Sequence, residues 1–142
     1  MEATEVIHCR GHPRVSASHP TTFEVTREDT LTKNGHCIIG VGADKGCQGL
    51  SPEFRQILCH DEAVLTTVLS CGGIITEVHS AGSAAMTLDH QRDLIWRKST
   101  FVCGRTIGIR SDRVAATLPT ELVALMRAGR LMVVRMTVKR PG

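Results

Sequence analysis

Two apolar, β-branched runs, AVLTTVLSC and IITEVHS, stand on either side of Gly72-Gly73. Paired glycines form the tightest hairpin connection, because both central residues can take positive φ, and the flanking runs have the length and composition of strands. An antiparallel hairpin of this kind does not fit a doubly wound parallel layer. It points to a mainly β fold, a single-domain antiparallel β-sandwich over residues 1–142.

Other segments extend that reading. TTFEVTRE alternates, with Phe23 and Val25 on one side and Glu24 and Thr26 on the other, which predicts a half-buried strand over 21–27. KNGH reads as a turn, and residues 37–41 as a short buried strand. Ser51-Pro52-Glu53 supplies a cap, a first-turn proline and an early acid ahead of Phe54, Ile57 and Leu58, so a helix is expected over 52–59. Strands are expected at 94–97 and 101–110, the second with a bulge at Gly104. A helical turn opens at Asp112, PTELVALMRAG predicts a helix over 119–128, and LMVVRMTVK alternates as a last strand. Two or three short helices are therefore peripheral to the sheets. No internal repeat stands out.

With 42% apolar and 22% charged residues the composition is that of a globular chain. One Trp, three Phe and no Tyr leave little with which to stack exposed bases. A net charge of +3, spread rather than run together, permits an anionic ligand but is not a basic stripe, so nucleic acid is the weaker partner class. MEATEVIHCRGH lacks a basic region followed by an apolar stretch, and no segment approaches a membrane span. A cytoplasmic location follows as an expectation, with the six cysteines as free thiols and most of them small core residues.

Chemistry concentrates in two places. GVGADKGCQG, residues 40–49, sets four glycines around Asp44 and Lys45. Its amides could form an anion-binding nest with Gly46 exposing backbone and Lys45 as point charge. The glycine spacing matches no dinucleotide or phosphate-loop fingerprint. WRKSTFVCGRT, residues 96–106, sets Arg97, Lys98 and Arg105 around Ser99, Thr100 and Thr106, the mixture of guanidinium forks and hydroxyls that binds phosphate or carboxylate. A thiolate at Cys47 or Cys103 would be activated beside Lys45 or Arg105, though Cys103 reads equally as a small core residue. The histidines and cysteines show no diagnostic zinc spacing; His12, His19 and Glu24 have metal-ligand chemistry without metal-ligand pattern. No metal and no cofactor is expected.

GHPRVSASHPTTFEVT, GHCIIGVGADKG and WRKSTFVCGRTIGIRSDRVA, at their spacing, resemble a family catalogued as domain of unknown function 371, chiefly archaeal with scattered eukaryotic members. The resemblance spans roughly residues 5–138 and implies a jelly-roll-like β-sandwich without an assigned activity. The family's pattern falls on Gly11, His12, His19, Thr21, Thr22, Ala43, Asp44, Lys45, Arg97, Lys98, Ser99, Cys103, Arg105 and Thr106, while Pro20 and Trp96 depart from it.

These readings lead to one expectation. A small phosphorylated or carboxylated ligand sits between residues 42–49 and 97–106, held by Lys45, Gly46, Arg97, Lys98, Ser99, Arg105 and Thr106. His12 or His19, with Asp44, is the candidate for proton transfer if a reaction occurs. The rival expectations are an accessory protein acting on RNA or a ribonucleoprotein through the same cations, and a structural partner subunit.

Overall fold

A computed structural model describes residues 1–31 and 35–142. In chain order it contains β1 (Glu2–Arg10), β2 (Thr22–Thr26), β3 (Ile38–Gly40), α1 (Pro52–Leu58), β4 (Val64–Cys71), β5 (Ile74–Ala81), β6 (Asp93–Arg97), β7 (Thr106–Gly108), α2 (Thr120–Arg127) and β8 (Leu131–Lys139). The strands form two sheets of four, in the orders β1-β8-β4-β5 and β3-β2-β6-β7. This agrees with the mainly β, two-sheet expectation and adds a detail to it: the edge pairs β2/β3 and β6/β7 are parallel, with every other pair antiparallel.

The hairpin is where the sequence places it, β4 and β5 pairing in register from Val64↔Ala81 to Cys71↔Ile74 with Gly72 and Gly73 at φ 55° and 85°. Helix α1 begins as expected: Pro52 is its first residue, and the Ser51 hydroxyl accepts the Phe54 amide at 3.1 Å. Its buried face, Phe54, Ile57 and Leu58, packs against β1 and β8. Helix α2 buries Leu122 and Met126 and is followed by Gly129 at φ 80°.

Three sequence readings change. Residues 2–10, to which the sequence reading assigns no element, are a nine-residue strand on the edge of the first sheet. Its inward positions are Glu5, Ile7 and Cys9, and a carboxylate among them breaks the apolar alternation. The strand expected at 101–110 shrinks to Thr106–Gly108, with Gly104 in a turn, because residues 98–105 cross the sheet instead of joining its ladder. The turn expected at KNGH falls partly on residues 32–34, outside those described.

The third change is an internal repeat. Each half runs β-β-β-helix-β, and exchanging β1 with β5, β2 with β6, β3 with β7 and β4 with β8 returns both sheets to the same order. The match extends to single bonds. Val41 bridges Arg10 as Ile109 bridges Ala81, and Gln48 N donates to His90 O as Ala116 N donates to His19 O. Even the uncommon left-handed residues recur, Ala17 (φ 48°) with Leu88 (φ 49°) and Gly42 (φ 62°) with Arg110 (φ 50°).

Both sheets turn one face onto a single core. Phe23 and Trp96, cross-strand partners on β2 and β6, stack at 4.5 Å between ring centroids. The Trp96 indole donates across the core to Thr67 Oγ1 on β4 at 2.9 Å. No helix among the described residues is long and apolar enough to cross a membrane, and all six cysteines are free.

Candidate functional site on the second sheet

Strand alternation puts Phe23, Val25, Leu94 and Trp96 on the core, so Thr22, Glu24, Thr26, Asp93, Ile95 and Arg97 project from the other face of the second sheet. On an open sheet that face would be solvated. Here β2 is buried along its whole length, because Cys37 reaches over it from the β2–β3 connection and Cys103 and Arg105 from the β6–β7 connection.

The polar groups under this cover are arranged specifically. Asp93 Oδ1 accepts the Thr26 hydroxyl at 2.7 Å, and Asp93 Oδ2 accepts Arg105 Nη1 at 2.9 Å. Arg97 donates from Nε to Thr106 Oγ1 at 2.9 Å and from Nη2 to Cys103 Sγ at 3.4 Å, and its guanidinium lies 4.9 Å from the Phe101 ring centroid. Among the described residues Arg97 has no carboxylate partner. Burial raises the Cys103 thiol, but the Arg105 amide, the Thr106 hydroxyl and Arg97 outweigh it and leave it below the ordinary thiol value. Glu24 goes the other way: burial, then the Asp93 carboxylate, push it up to about 7 against the opposing pull of Arg105 and Arg97. A cavity of about 300 Å³ opens beside Glu24, Thr26 and Asp93.

The residues singled out from sequence divide. Arg97, Arg105 and Thr106 meet, together with Cys103. Lys98 and Ser99 stay exposed at the rim, where the Ser99 hydroxyl accepts the Phe101 amide. The 42–49 loop is elsewhere: Ala43 N bonds Thr26 O at one end of β2, whereas Arg97 stands beside Thr22 at the other. Asp44 is engaged by His8, and Lys45 Nζ by buried Glu5 at 2.7 Å. Gly46 is a packing requirement, since an added Cβ would stand 2.5 Å from the Gln91 carbonyl oxygen. His12 Nδ1 accepts the Arg14 amide, and His19 Nδ1 lies 3.2 Å from the Thr21 amide and 3.0 Å from the Thr22 hydroxyl. Both rings serve local turns. Asp93 has no place in the sequence reading of the site and Glu24 enters it only as a metal-ligand type beside His12 and His19, because nothing local tells a covered polar face from a solvated one.

The repeat separates scaffold from site. His8 and His79, His19 and His90, Gly40 and Gly108, and Asp44 and Asp112 occupy matching positions with matching bonds. Residues kept in both halves hold the common backbone. On the covered face the halves differ: Thr26 matches Arg97, as Ala43 and Ser111 amides donate to their carbonyls, and Cys37 matches Arg105, as their carbonyls accept Glu24 and Ile95 amides. Ile38, beside Glu24, matches Thr106, beside Ile95. The distinctive chemistry is confined to positions where the repeat has diverged.

No group of three or more His, Cys, Asp or Glu among the described residues is placed to hold a metal ion. The family model described as a domain of unknown function, DUF371, matches residues 7–139. An uncharacterized protein of Methanocaldococcus jannaschii is 35% identical over 133 residues, covering 94% of this chain and 98% of that one. With a relative matched over nearly its whole length and a family model spanning both repeats, the chain belongs to the DUF371 family.

Proposed function

We propose that the protein binds a small ligand through a phosphate or carboxylate group at the Arg97–Thr106–Arg105 edge of the second sheet. One observation carries the reading: the half-buried Arg97 guanidinium is held by a neutral hydroxyl and a thiol, so its orientation is set while no carboxylate among the described residues is in contact with it. A pre-oriented guanidinium with no counter-charge is the arrangement that takes an anion bidentately. The Cys103 thiol, lowered by the Arg105 amide, the Thr106 hydroxyl and Arg97, supports the reading because donors converge at this edge. Lys45 has no part in this version of the site, its charge being matched by Glu5.

Thermal-shift titration with inorganic phosphate, pyrophosphate and citrate tests it. The expected result is stabilisation of the wild type and of Lys45→Ala, with affinity reduced about tenfold or more in Arg97→Ala, the loss of a charge-assisted hydrogen bond of about 1.5–3 kcal/mol. An absence of stabilisation by any of the three anions, or equal stabilisation of Arg97→Ala, overturns it.

A further inference from the structure

We propose that the cavity beside Glu24 is a binding site for an organic ammonium group. This does not rest on the anion reading. Besides Glu24 the cavity is lined by Glu28, Asp93, Thr26, Thr30 and Ile38, with Arg92 at its side. Two of its three carboxylates are already matched: Asp93 by Arg105 and the Thr26 hydroxyl, and Glu28 by Arg92 at 3.0 Å. Glu24 is not. It is only 6% exposed, its Oε1 receives a single weak donor, the Cys37 thiol at 3.7 Å, and its Oε2 has no partner among the described residues. A carboxyl group buried in this way requires a proton or a cation.

The lining decides which cation. It presents carboxylates and hydroxyls, and its one guanidinium is occupied, so an occupant must supply donors. An ammonium group supplies three N–H donors and one positive charge. An anion would meet Glu24 and Glu28 unfavourably, and a neutral polyol would leave the Glu24 charge unmatched. Fewer than three metal-ligating side chains are suitably grouped among the described residues, whereas a volume of about 300 Å³ admits a small aliphatic amine.

Proton linkage gives the proposal a signature. The charged groups around Glu24 are Asp93, Arg92 and Arg97 on or beside β6, Glu28 after β2, and Arg105 before β7, with the Cys37 thiol before β3. With Glu24 raised to about 7, a bound ammonium favours the ionised form and expels the proton the group would otherwise hold. Up to about half a proton is released per ligand near neutral pH, and affinity rises from about pH 6 to about pH 8.5.

Isothermal titration with ethanolamine and with 1,4-diaminobutane, in two buffers of different ionisation enthalpy, tests this. The expected result is binding with proton release, weakened about tenfold or more in the isosteric Glu24→Gln variant. Choline, which lacks N–H donors, and glycerol are expected not to compete. No binding of either amine, binding without proton release, equal affinity in Glu24→Gln, or competition by choline overturns the proposal. So does stabilisation by magnesium or calcium chloride but by neither amine, which would identify a metal site. Failure of phosphate to bind leaves these outcomes unaffected, so the two readings fail separately.

Discussion

Asp44 grips His8 with both carboxylate oxygens, one accepting the backbone amide at 3.0 Å and the other 3.2 Å from ring Nδ1. Asp112 grips His79 in the same way at 2.8 and 3.0 Å. The Asp44 amide returns a bond to the His8 carbonyl and the Asp112 amide to that of His79, so each aspartate fastens a loop of the second sheet to an edge strand of the first. Asp44→Ala and Asp112→Ala should each cost about 1–2 kcal/mol in urea unfolding, and the double variant about the sum, because the two pairs share no partner. Burial raises Asp44, but the His8 amide and ring outweigh it and hold the carboxyl below its ordinary value. The stability it contributes is therefore present above the ordinary carboxylate range and lost as pH falls through its depressed value. Asp44→Asn should flatten that part of the acid-unfolding curve.

Glu24 has the opposite sign. Its carboxyl titrates near 4.5 when free and near 7 in the fold, so the folded state holds the proton more tightly. Below about pH 4.5 the group is neutral in both states; between about 4.5 and 7 stability declines as pH rises, and above that range a penalty of about 3 kcal/mol is complete. Glu24→Gln should remove the decline and exceed the wild type in stability at pH 8 by about 2–3 kcal/mol. Urea midpoints at about pH 5 and pH 8 measure both effects.

Lys45 should prove structural. Its Nζ lies 2.7 Å from Glu5 Oε1, while Glu5 Oε2 accepts the amide of Ser51, the residue that caps α1. Lys45→Ala leaves a carboxylate that is 7% exposed without its cation, and should cost about 2–3 kcal/mol. Adding Glu5→Gln should recover part of that loss, and a double-mutant cycle by chemical unfolding gives the coupling.

Trp96→Phe should destabilise by about 1–3 kcal/mol although the aromatic stack with Phe23 survives. The substitution removes the indole donor and strands the fully buried Thr67 hydroxyl. Trp96→Phe combined with Thr67→Val should be more stable than Trp96→Phe alone, as thermal unfolding will show.

What was legible in the sequence is what neighbouring residues decide among themselves. Gly72-Gly73 makes the hairpin because two left-handed residues are needed there, and Ser51-Pro52-Glu53 starts α1 because cap, fixed φ and early acid lie within one turn. Arg97, Arg105 and Thr106 were recognisable as one cluster because a single crossing segment brings them together. Tertiary structure decided the rest. Asp93 reaches Thr26 and Glu24 only through the β2/β6 register, and no local pattern encodes a pairing between strands so distant in the chain. Lys45 turned from candidate ligand to ion-pair partner because Glu5, far from it in sequence, is buried against it. The repeat is not legible in the sequence because its identities are few and the spacing between matching positions shifts between His8/His79 and Asp44/Asp112. Backbone hydrogen bonds tolerate nearly any side chain, so two halves can keep one fold while the residues above it diverge. The covered face of the second sheet is likewise a tertiary product: Glu24 reads as the solvated side of a half-buried strand until the connections that cross the sheet take the water from it.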